Sequence, residues 1–150
     1  GSRMLLDLAE ATIDIANLNS FIRIKGRMED LDLLSRILIR GGRIAPKIYL
    51  DSFGSDIEGF LNEIKGSGYA SLLETVLENP GRITEFEKAC DNFIMNMIRK
   101  YRYRAFGIGP LAGYMLGKET DIKNARIILV GKTNHINNDI IRERLRDSYV

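Results

Sequence analysis

The stretch ARIILVGKTN, residues 125–134, contains the residue types that come closest to a phosphate-binding chemistry. A run of apolar, partly β-branched residues leads into Gly131, Lys132 and Thr133, the order in which a nucleotide-binding loop ends. Such a loop needs a first glycine five residues before the Gly-Lys pair, because its backbone N–H groups must surround the phosphates. Arg126 occupies that position. The sequence therefore argues against a nucleoside-triphosphate site.

A second glycine-rich stretch, GIGPLAG, gives no better support for nucleotide binding. Gly107 and Gly109 have the spacing of a dinucleotide fingerprint, but the third glycine, Gly113, comes one position late. The residues before it are basic and do not form an apolar strand. We predict no catalytic residue and no nucleotide cofactor.

Composition excludes several further classes of function. One cysteine, Cys90, and one histidine, His135, leave little support for a Cys/His metal site or a Cys-His dyad. The net charge of +2, from 22 basic and 20 acidic residues, is too balanced to indicate nucleic acid or an anionic membrane by itself. The longest uncharged stretch, 105–117, is shorter than the ~20 residues of a membrane-spanning helix.

The elements that position these residues are predicted to be helices throughout. Apolar residues recur at three- and four-residue steps, which gives a helix one apolar stripe. Ser55 and either Asn137 or Asn138 are predicted N-caps, Pro46 begins a short helix, and Gly41-Gly42 ends the second helix. We predict an all-α antiparallel bundle. Its helices are expected over 5–25, 27–40, 56–65, 69–79, 83–106, 110–132 and 137–150, with one more short helix that begins at residue 46.

An internal repeat supports this interpretation. DIANLNSFIRIKGR and DIKNARIILVGKTN align without gaps at a spacing of 107 residues. The identical positions are Asp14 with Asp121, Ile15 with Ile122, Asn17 with Asn124, and Lys25 with Lys132. Asp and Lys eleven residues apart lie ~16 Å apart along a helix, so they cannot pair with each other. We therefore expect these structural polar positions to be satisfied by neighbouring helices. The alternative is that they are solvated surface residues.

A cluster of basic residues is the main candidate for binding a partner. The sequence RKYRYR places Arg99, Lys100, Arg102 and Arg104 around two tyrosines. These side chains could bind acidic groups on a protein or single-stranded nucleic acid, or they could be cations at a helix C-terminus. Arg23 either contacts a partner or forms an internal ion pair.

Several of these motifs resemble one family. PLAGYMLGKETDIKNARIILVGKTN and IRERLRDSYV resemble the C-terminal end of the C subunit of archaeal and bacterial A-type or V-type ATP synthases, relatives of the d subunit of the vacuolar proton pump. DIANLNSFIRIKGR, LLSRILIRGG and YASLLE resemble the last helix of the preceding unit and the start of the last unit. The resemblance implies an all-α, funnel-shaped protein of three similar units around a pseudo-threefold axis. Residues 1–3 are interpreted as left over from cloning, and 4–150 as a single helical domain made of one unit and the long helix entering it.

The resemblance also implies a non-catalytic role. Members of this family sit on the cytoplasmic rim of the membrane rotor ring and hold the foot of the central shaft, so that shaft and ring rotate together. The expected partners are therefore the shaft subunits and the rotor ring, without a cofactor, a small-molecule substrate or nucleic acid. The expected location is the cytoplasmic side of the membrane. Apolar faces that meet the other units could also cause self-association of this portion.

Overall fold

The computed structural model describes residues 2–27, 30–78, 83–100 and 108–149, and all regular structure within these ranges is helical. The all-α prediction is therefore confirmed for this part of the chain. The helices are α1 (Ser2–Arg27), α2 (Leu31–Ile37), α3 (Pro46–Asp51), α4 (Ile57–Ile64), α5 (Ala70–Glu78), α6 (Ile83–Arg99), α7 (Gly109–Thr133) and α8 (Asn138–Arg144), with a 3₁₀ turn at Lys65–Ser67.

Prolines and polar caps begin several helices where the sequence predicts. Pro46 is the first residue of α3, and Pro110 is the second residue of α7. The missing N–H of proline costs nothing there, because the first N–H groups of a helix have no partner within the helix. Asn137 caps α8 by accepting a hydrogen bond from the backbone N–H of Asp139 at 2.9 Å.

The second helix is shorter than predicted. α2 ends at Ile37, and its C-cap Leu38 already has an extended backbone, so the prediction of a helix continuing to Gly41-Gly42 is wrong. Its N-cap is Asp30, whose carboxylate accepts from the backbone N–H of Leu33 at 2.9 Å. The residues after Leu38 leave the helix because side chains of α1 bind their backbone, as described below.

The cap of α4 also differs by one residue from the prediction. Asp56, not Ser55, accepts a hydrogen bond from the backbone N–H of Gly59, at 2.7 Å. Aspartate and serine are both good N-caps, so sequence alone does not choose between adjacent candidates.

The chain divides into two compact units, each of which is described by itself. The N-terminal unit comprises Leu6–Glu87, and the C-terminal unit comprises Lys88–Val150 with Gly1–Leu5. The prediction of one domain over 4–150 stays a prediction.

An aromatic cluster forms the core of the N-terminal unit. The ring of Phe21 on α1 lies 4.3 Å from the ring of Phe60 and 5.8 Å from that of Tyr49, measured between centroids. All three side chains are fully buried. Such ring pairs add to the free energy gained from burying apolar area, and they fix α1 against α3 and α4.

The long helix α7 organises the C-terminal unit, and α8 packs against its end. Ile141 of α8 is buried at Gly131, where an added Cβ would lie 2.6 Å from the Ile141 side chain. This close approach requires a residue without a side chain, so Gly131 serves helix packing and not a phosphate loop.

Candidate functional site

Asn17, in the middle of α1, binds the chain segment that follows α2. Its Nδ2 donates to the carbonyl oxygen of Ile39 at 2.8 Å, and its Oδ1 accepts from the backbone N–H of Ile39 at 2.9 Å. The Asn17 side chain is buried. Because both hydrogen bonds go to one residue, they fix the segment in a single register on the helix.

Asp14, one turn earlier on the same helix, binds the next part of this segment. Its carboxylate accepts from the backbone N–H of Arg43 at 2.9 Å and of Ile44 at 3.1 Å. Asp14 is 0% exposed, so these bonds compensate the loss of water around a charged group. A Cβ on Gly42 would lie 2.8 Å from Asp14 Cγ, so this approach requires glycine.

Two buried tyrosines lie near Asp14. Burial raises the pKa of Tyr49 above its ordinary value, and the negative charge of Asp14 raises it further. Burial also raises the pKa of Tyr69, as does its hydrogen bond with Asp14. Both phenols therefore stay protonated in the folded state at pH values where an exposed tyrosine ionises.

Lys25 ends the row of polar residues on α1. Its Nζ donates to the carbonyl oxygen of Phe53 at 2.6 Å and lies 5.5 Å from the centre of the Phe53 ring. The same ammonium lies 6.0 Å from the ring of Phe21. Lys25 is thus bound by the loop after α3 and by two aromatic rings.

The C-terminal unit repeats the asparagine arrangement. Asn124 Nδ2 donates to the carbonyl oxygen of Arg146 at 3.0 Å, and Asn124 Oδ1 accepts from the backbone N–H of Arg146 at 2.8 Å. In both units the asparagine and the residue it binds are 22 positions apart. We call each of these paired hydrogen bonds an asparagine clamp.

The repeat extends further in the structure than in the aligned sequence stretches. At a spacing of 107 residues, α2 corresponds to α8 at both ends, and the N-cap Asp30 corresponds to the N-cap Asn137. Buried Leu34 corresponds to buried Ile141. Each copy is therefore a long helix, a capped seven-residue helix, and an extended segment bound back onto the long helix.

Further polar contacts hold the segment of the second copy, residues 145–149. Arg146 Nε donates to Asp91 Oδ2 at 3.0 Å, and Lys123 Nζ donates to Asp91 Oδ1 at 2.8 Å. The backbone N–H of Asp147 donates to Asn92 Oδ1 at 2.9 Å. The segment is thus bound by α6 as well as by α7.

Tyr149 packs against Gly113 and Gly117 of α7, and of these two only Gly113 belonged to the glycine pattern that the sequence offered as a weak nucleotide motif. A Cβ on Gly113 would lie 2.6 Å from Tyr149 Cζ, and a Cβ on Gly117 would lie 2.7 Å from Tyr149 Cβ. Gly109, Gly113 and Gly117 recur every four residues and therefore share one helix face. This spacing was the available signal for a site of close packing.

The remaining polar repeat positions, Asp121 and Lys132, differ from Asp14 and Lys25. Asp121 is exposed and lies 3.6 Å from Lys118 on its own helix, whereas we expected a partner on a neighbouring helix. By the repeat spacing, Arg43, whose backbone N–H donates to Asp14, corresponds to position 150, which is outside the described residues. Lys132 Nζ donates to Asn138 Oδ1 at 2.6 Å at the exposed start of α8.

The structure places only part of the basic candidate cluster. Arg99 donates to Asn96 Oδ1 at 3.1 Å and also to the carbonyl oxygen of Ser148, so it binds the C-terminal segment. Lys100 is exposed. Arg102 and Arg104 lie outside the described residues.

Arg23 forms an ion pair with Glu87 in the N-terminal unit, with its Nε 3.0 Å from Glu87 Oε1. The internal ion pair, one of the two alternatives for this residue, is therefore present.

The stretch that suggested a phosphate loop is helical. Residues 125–133 form the last turns of α7, which ends at Thr133. No loop separates the apolar run from Gly131 and Lys132, so the backbone N–H groups are used within the helix.

Two other kinds of site are absent from the described part of the chain. No group of three or more His, Cys, Asp or Glu side chains there could hold a metal ion. Among the described helices, none is both long and apolar enough to span a membrane.

Comparison with known proteins gives one consistent result. Residues 1–144 match the family model of the ATP synthase (C/AC39) subunit. The chain is 31% identical over 141 residues to the C subunit of the A-type ATP synthase of Methanocaldococcus jannaschii. The aligned region covers 89% of the chain and 35% of that protein. It is 25% identical over 146 residues to the C subunit of the V-type sodium ATPase of Enterococcus hirae. This alignment covers 97% of the chain and 44% of that protein.

A third relative, the C subunit of the A-type ATP synthase of Methanosphaera stadtmanae, is 31% identical over 137 residues, 87% of the chain and 36% of that protein. The matched part of the chain thus corresponds to 35–44% of the length of these curated relatives. No solved structure matches the chain closely enough to be counted as similar.

Proposed function

Because the chain belongs to the ATP synthase (C/AC39) subunit family, we propose that it is the part of a central-stalk subunit that couples the rotating shaft of an A-type or V-type ATP synthase to the membrane rotor ring. In this role it catalyses no reaction. It supports proton or sodium transport linked to ATP synthesis or hydrolysis, and it sits peripherally on the cytoplasmic side of the membrane. The observation that carries the proposal is the family match over residues 1–144.

The two asparagine clamps support a mechanical role. A coupling subunit has to transmit torque without yielding, and closely packed interiors with satisfied polar groups are stiff. In each unit a long helix binds an extended segment through both hydrogen-bonding groups of one residue, Ile39 or Arg146. We propose that this duplicated arrangement keeps α1 and α7 rigid under load.

We further propose that the basic cluster contributes to binding acidic groups of the shaft. Arg99 donates a hydrogen bond to the carbonyl oxygen of Ser148, while Lys100 is exposed. Arg102 and Arg104 are the remaining cations of the cluster in the sequence. Charged groups at the rim of an interface mainly set the association rate and the dependence on salt.

The experiment is size-exclusion chromatography with light scattering on this chain mixed with purified central-shaft subunits. Co-elution is expected, and the double substitution Arg102→Glu with Arg104→Glu is expected to weaken binding at least about tenfold. The matched control is Arg36→Glu with Arg142→Glu, which changes the charge equally at two exposed i,i+4 and i,i+3 pairs.

Two outcomes would contradict the proposal. If the parent chain does not bind the shaft subunits, residues 1–150 do not carry the coupling role. If it instead binds a single-stranded oligonucleotide in a salt-sensitive way, the basic cluster serves the alternative nucleic-acid function.

A further inference from the structure

The extended segment of the second copy, residues 145–149, is bound through its backbone by side chains of α6 and α7. Asn124 of α7 pairs with both backbone groups of Arg146, at 3.0 and 2.8 Å. Asn92 of α6 accepts from the N–H of the next residue at 2.9 Å, and Arg99 donates to the carbonyl oxygen of the residue after it. Such main-chain hydrogen bonds provide affinity for an extended peptide without regard to its side chains.

The side chain of Arg146 has its own acidic partner on α6. It is only 10% exposed, and its Nε donates to Asp91 Oδ2 at 3.0 Å. The other carboxylate oxygen of Asp91 accepts from Lys123 of α7 at 2.8 Å, which holds the carboxylate in place. A second guanidinium nitrogen of Arg146 donates to the carbonyl oxygen of Arg144 at 2.7 Å. Two directed donors at fixed positions are a property of arginine and not of lysine, so this contact selects arginine.

The ring of Tyr149 lies in a slot on α7 that two glycines leave open. A Cβ on Gly117 would lie 2.7 Å from Tyr149 Cβ, and a Cβ on Gly113 would lie 2.6 Å from Tyr149 Cζ. The side chain therefore extends along one helical turn, about 6 Å, from the first glycine to the second. A shorter aliphatic side chain does not fill this length, so the glycine slot selects an aromatic residue.

The two segments of the repeat differ in their side-chain contacts. By the repeat spacing, Arg146 corresponds to Ile39, which is 48% exposed, and Tyr149 corresponds to Gly42. The asparagine clamp is common to both copies, but of the two described segments only the second has the Asp91 contact and the glycine slot. In peptide recognition, main-chain bonds give affinity and side-chain pockets give specificity. The second copy therefore combines both parts of a peptide-recognition site.

We infer that α6 and α7 form a peptide-binding site that selects the pattern Arg-x-x-Tyr, and that residues 145–149 are its tethered ligand. The contacts that recognise the segment all come from side chains and glycines of these two helices. None of them uses the covalent link between the segment and α8. A free peptide of the same pattern can therefore replace the segment. This inference does not depend on the proposed coupling function.

The tether determines how a free peptide competes with the segment. Because the segment follows α8 directly, its effective concentration at the site is about millimolar or higher. In the parent chain a free peptide has to displace this tethered competitor. In a chain whose segment has lost the arginine and the tyrosine, the competitor is weak and the same peptide binds more tightly.

The first test is fluorescence anisotropy with a labelled peptide of residues 144–149, RLRDSY, added to the full chain. We expect saturable binding by the variant Arg146→Ala with Tyr149→Ala, and binding at least about tenfold weaker by the parent chain, whose own segment competes. The control peptide RLADSA lacks both recognised side chains. It should bind the variant at least about tenfold more weakly than RLRDSY does.

Three results of this test would overturn the inference. They are the absence of binding by the folded variant at millimolar peptide, equal binding of the two peptides, and equal binding by the variant and the parent chain. Circular dichroism verifies that the variant is folded. If it is not, Tyr149→Ala alone takes its place, because this variant keeps the contact between Arg146 and Asp91.

The second test measures whether Asp91 selects the arginine of the peptide. In the variant background, Asp91→Asn should weaken binding of RLRDSY at least about tenfold and leave binding of RLADSY unchanged, because the second peptide has no guanidinium to lose. The matched control is Asp139→Asn, which removes the charge of a side chain that is 78% exposed on α8. Equal effects of the two substitutions, or an equal loss for both peptides, would contradict the Arg-x-x-Tyr selectivity.

Discussion

At the scale of single residues, Asp14 and Asp121 occupy the same position of the repeat in different surroundings. Asp14 is fully buried and accepts two backbone hydrogen bonds, whereas the Asp121 side chain is 55% exposed and lies 3.6 Å from Lys118 on its own helix. An exposed ion pair of neighbouring helix residues contributes little to stability. We therefore expect the same residue type to be structural in one copy and replaceable in the other.

We expect Asp14→Ala to lower the free energy of unfolding by about 2–4 kcal/mol, because it leaves one buried and one partly buried backbone N–H group without their acceptor. Asp121→Ala is the matched control and should change it by less than about 0.5 kcal/mol. Urea denaturation of both variants measures the difference. Equal effects would show that the two carboxylates have equivalent surroundings in solution.

The two buried tyrosines predict a loss of stability in alkali. Above pH about 10 the unfolded chain loses the phenol protons that Tyr49 and Tyr69 keep in the folded state, because burial raises their pKa. The unfolded state then binds fewer protons, so the free energy of unfolding falls with pH, by up to about 1.4 kcal/mol per pH unit for each phenol.

Urea denaturation between pH 9 and about 11.5 measures this slope. Tyr49→Phe should reduce it by the contribution of one phenol. Tyr114→Phe removes an exposed tyrosine and is the control. A slope that Tyr49→Phe leaves unchanged would show that Tyr49 titrates alike in both states.

At the scale of elements, the glycines of α7 lower the intrinsic stability of the helix but allow another part of the chain to pack closely against it. Glycine costs about 1 kcal/mol relative to alanine in a helix interior. Gly113 and Gly117 occur in the interior of α7 because the ring of Tyr149 lies directly over their Cα atoms. The C-terminal segment and the helix therefore depend on each other.

We expect Gly113→Ala to destabilise the parent chain by about 1–2 kcal/mol, since the new Cβ forces the Tyr149 ring to move. With Tyr149→Ala already present, the same change should instead stabilise by up to about 1 kcal/mol, through helix propensity alone. Thermal or urea unfolding of the four proteins of this double-mutant cycle measures the change of sign. The same sign in both backgrounds would contradict the contact.

At the scale of the whole molecule, each compact unit contains its own asparagine clamp, and the two can be opened separately. Asn17→Ala should speed amide hydrogen exchange at Ile39, and Asn124→Ala should speed it at Arg146, each by about tenfold for a loss of ~1.4 kcal/mol. Residue-resolved exchange by NMR measures both. Asn134→Ala, which removes an exposed hydrogen bond to Val130, is the control. If Asn17→Ala leaves the exchange rate at Ile39 unchanged and Asn124→Ala leaves that at Arg146 unchanged, the clamps are not formed in solution.

Much of this fold could be predicted from local sequence. Proline and cap residues determine helix starts through contacts with their immediate neighbours. This is why Pro46 was predicted at the start of α3, Pro110 within one residue of the start of α7, and Asn137 as one of two candidate caps of α8. The end of α2 at Ile37 was not predicted, because distant side chains on α1 bind the residues after it.

The candidate site was less accessible to sequence reasoning. The repeat indicated which residues are equivalent, but it could not show that Asp14 is buried while Asp121 is exposed. That difference depends on which backbone groups reach each helix. The role of Gly113 was missed for the same reason, because its partner Tyr149 is distant in sequence.

The close approach at Gly42 has a consequence for the history of the two copies. By the repeat spacing, Gly42 corresponds to Tyr149. In the first copy the residue without a side chain is Gly42 on the extended segment, which lies against Asp14 of α1. In the second copy it is Gly113 or Gly117 on the long helix α7, which lies against Tyr149. A genetic exchange that placed a tyrosine at Gly42 would drive its side chain into Asp14, and the reverse exchange would remove the ring that covers Gly113 and Gly117. Recombination that exchanges this position between the copies would therefore be selected against.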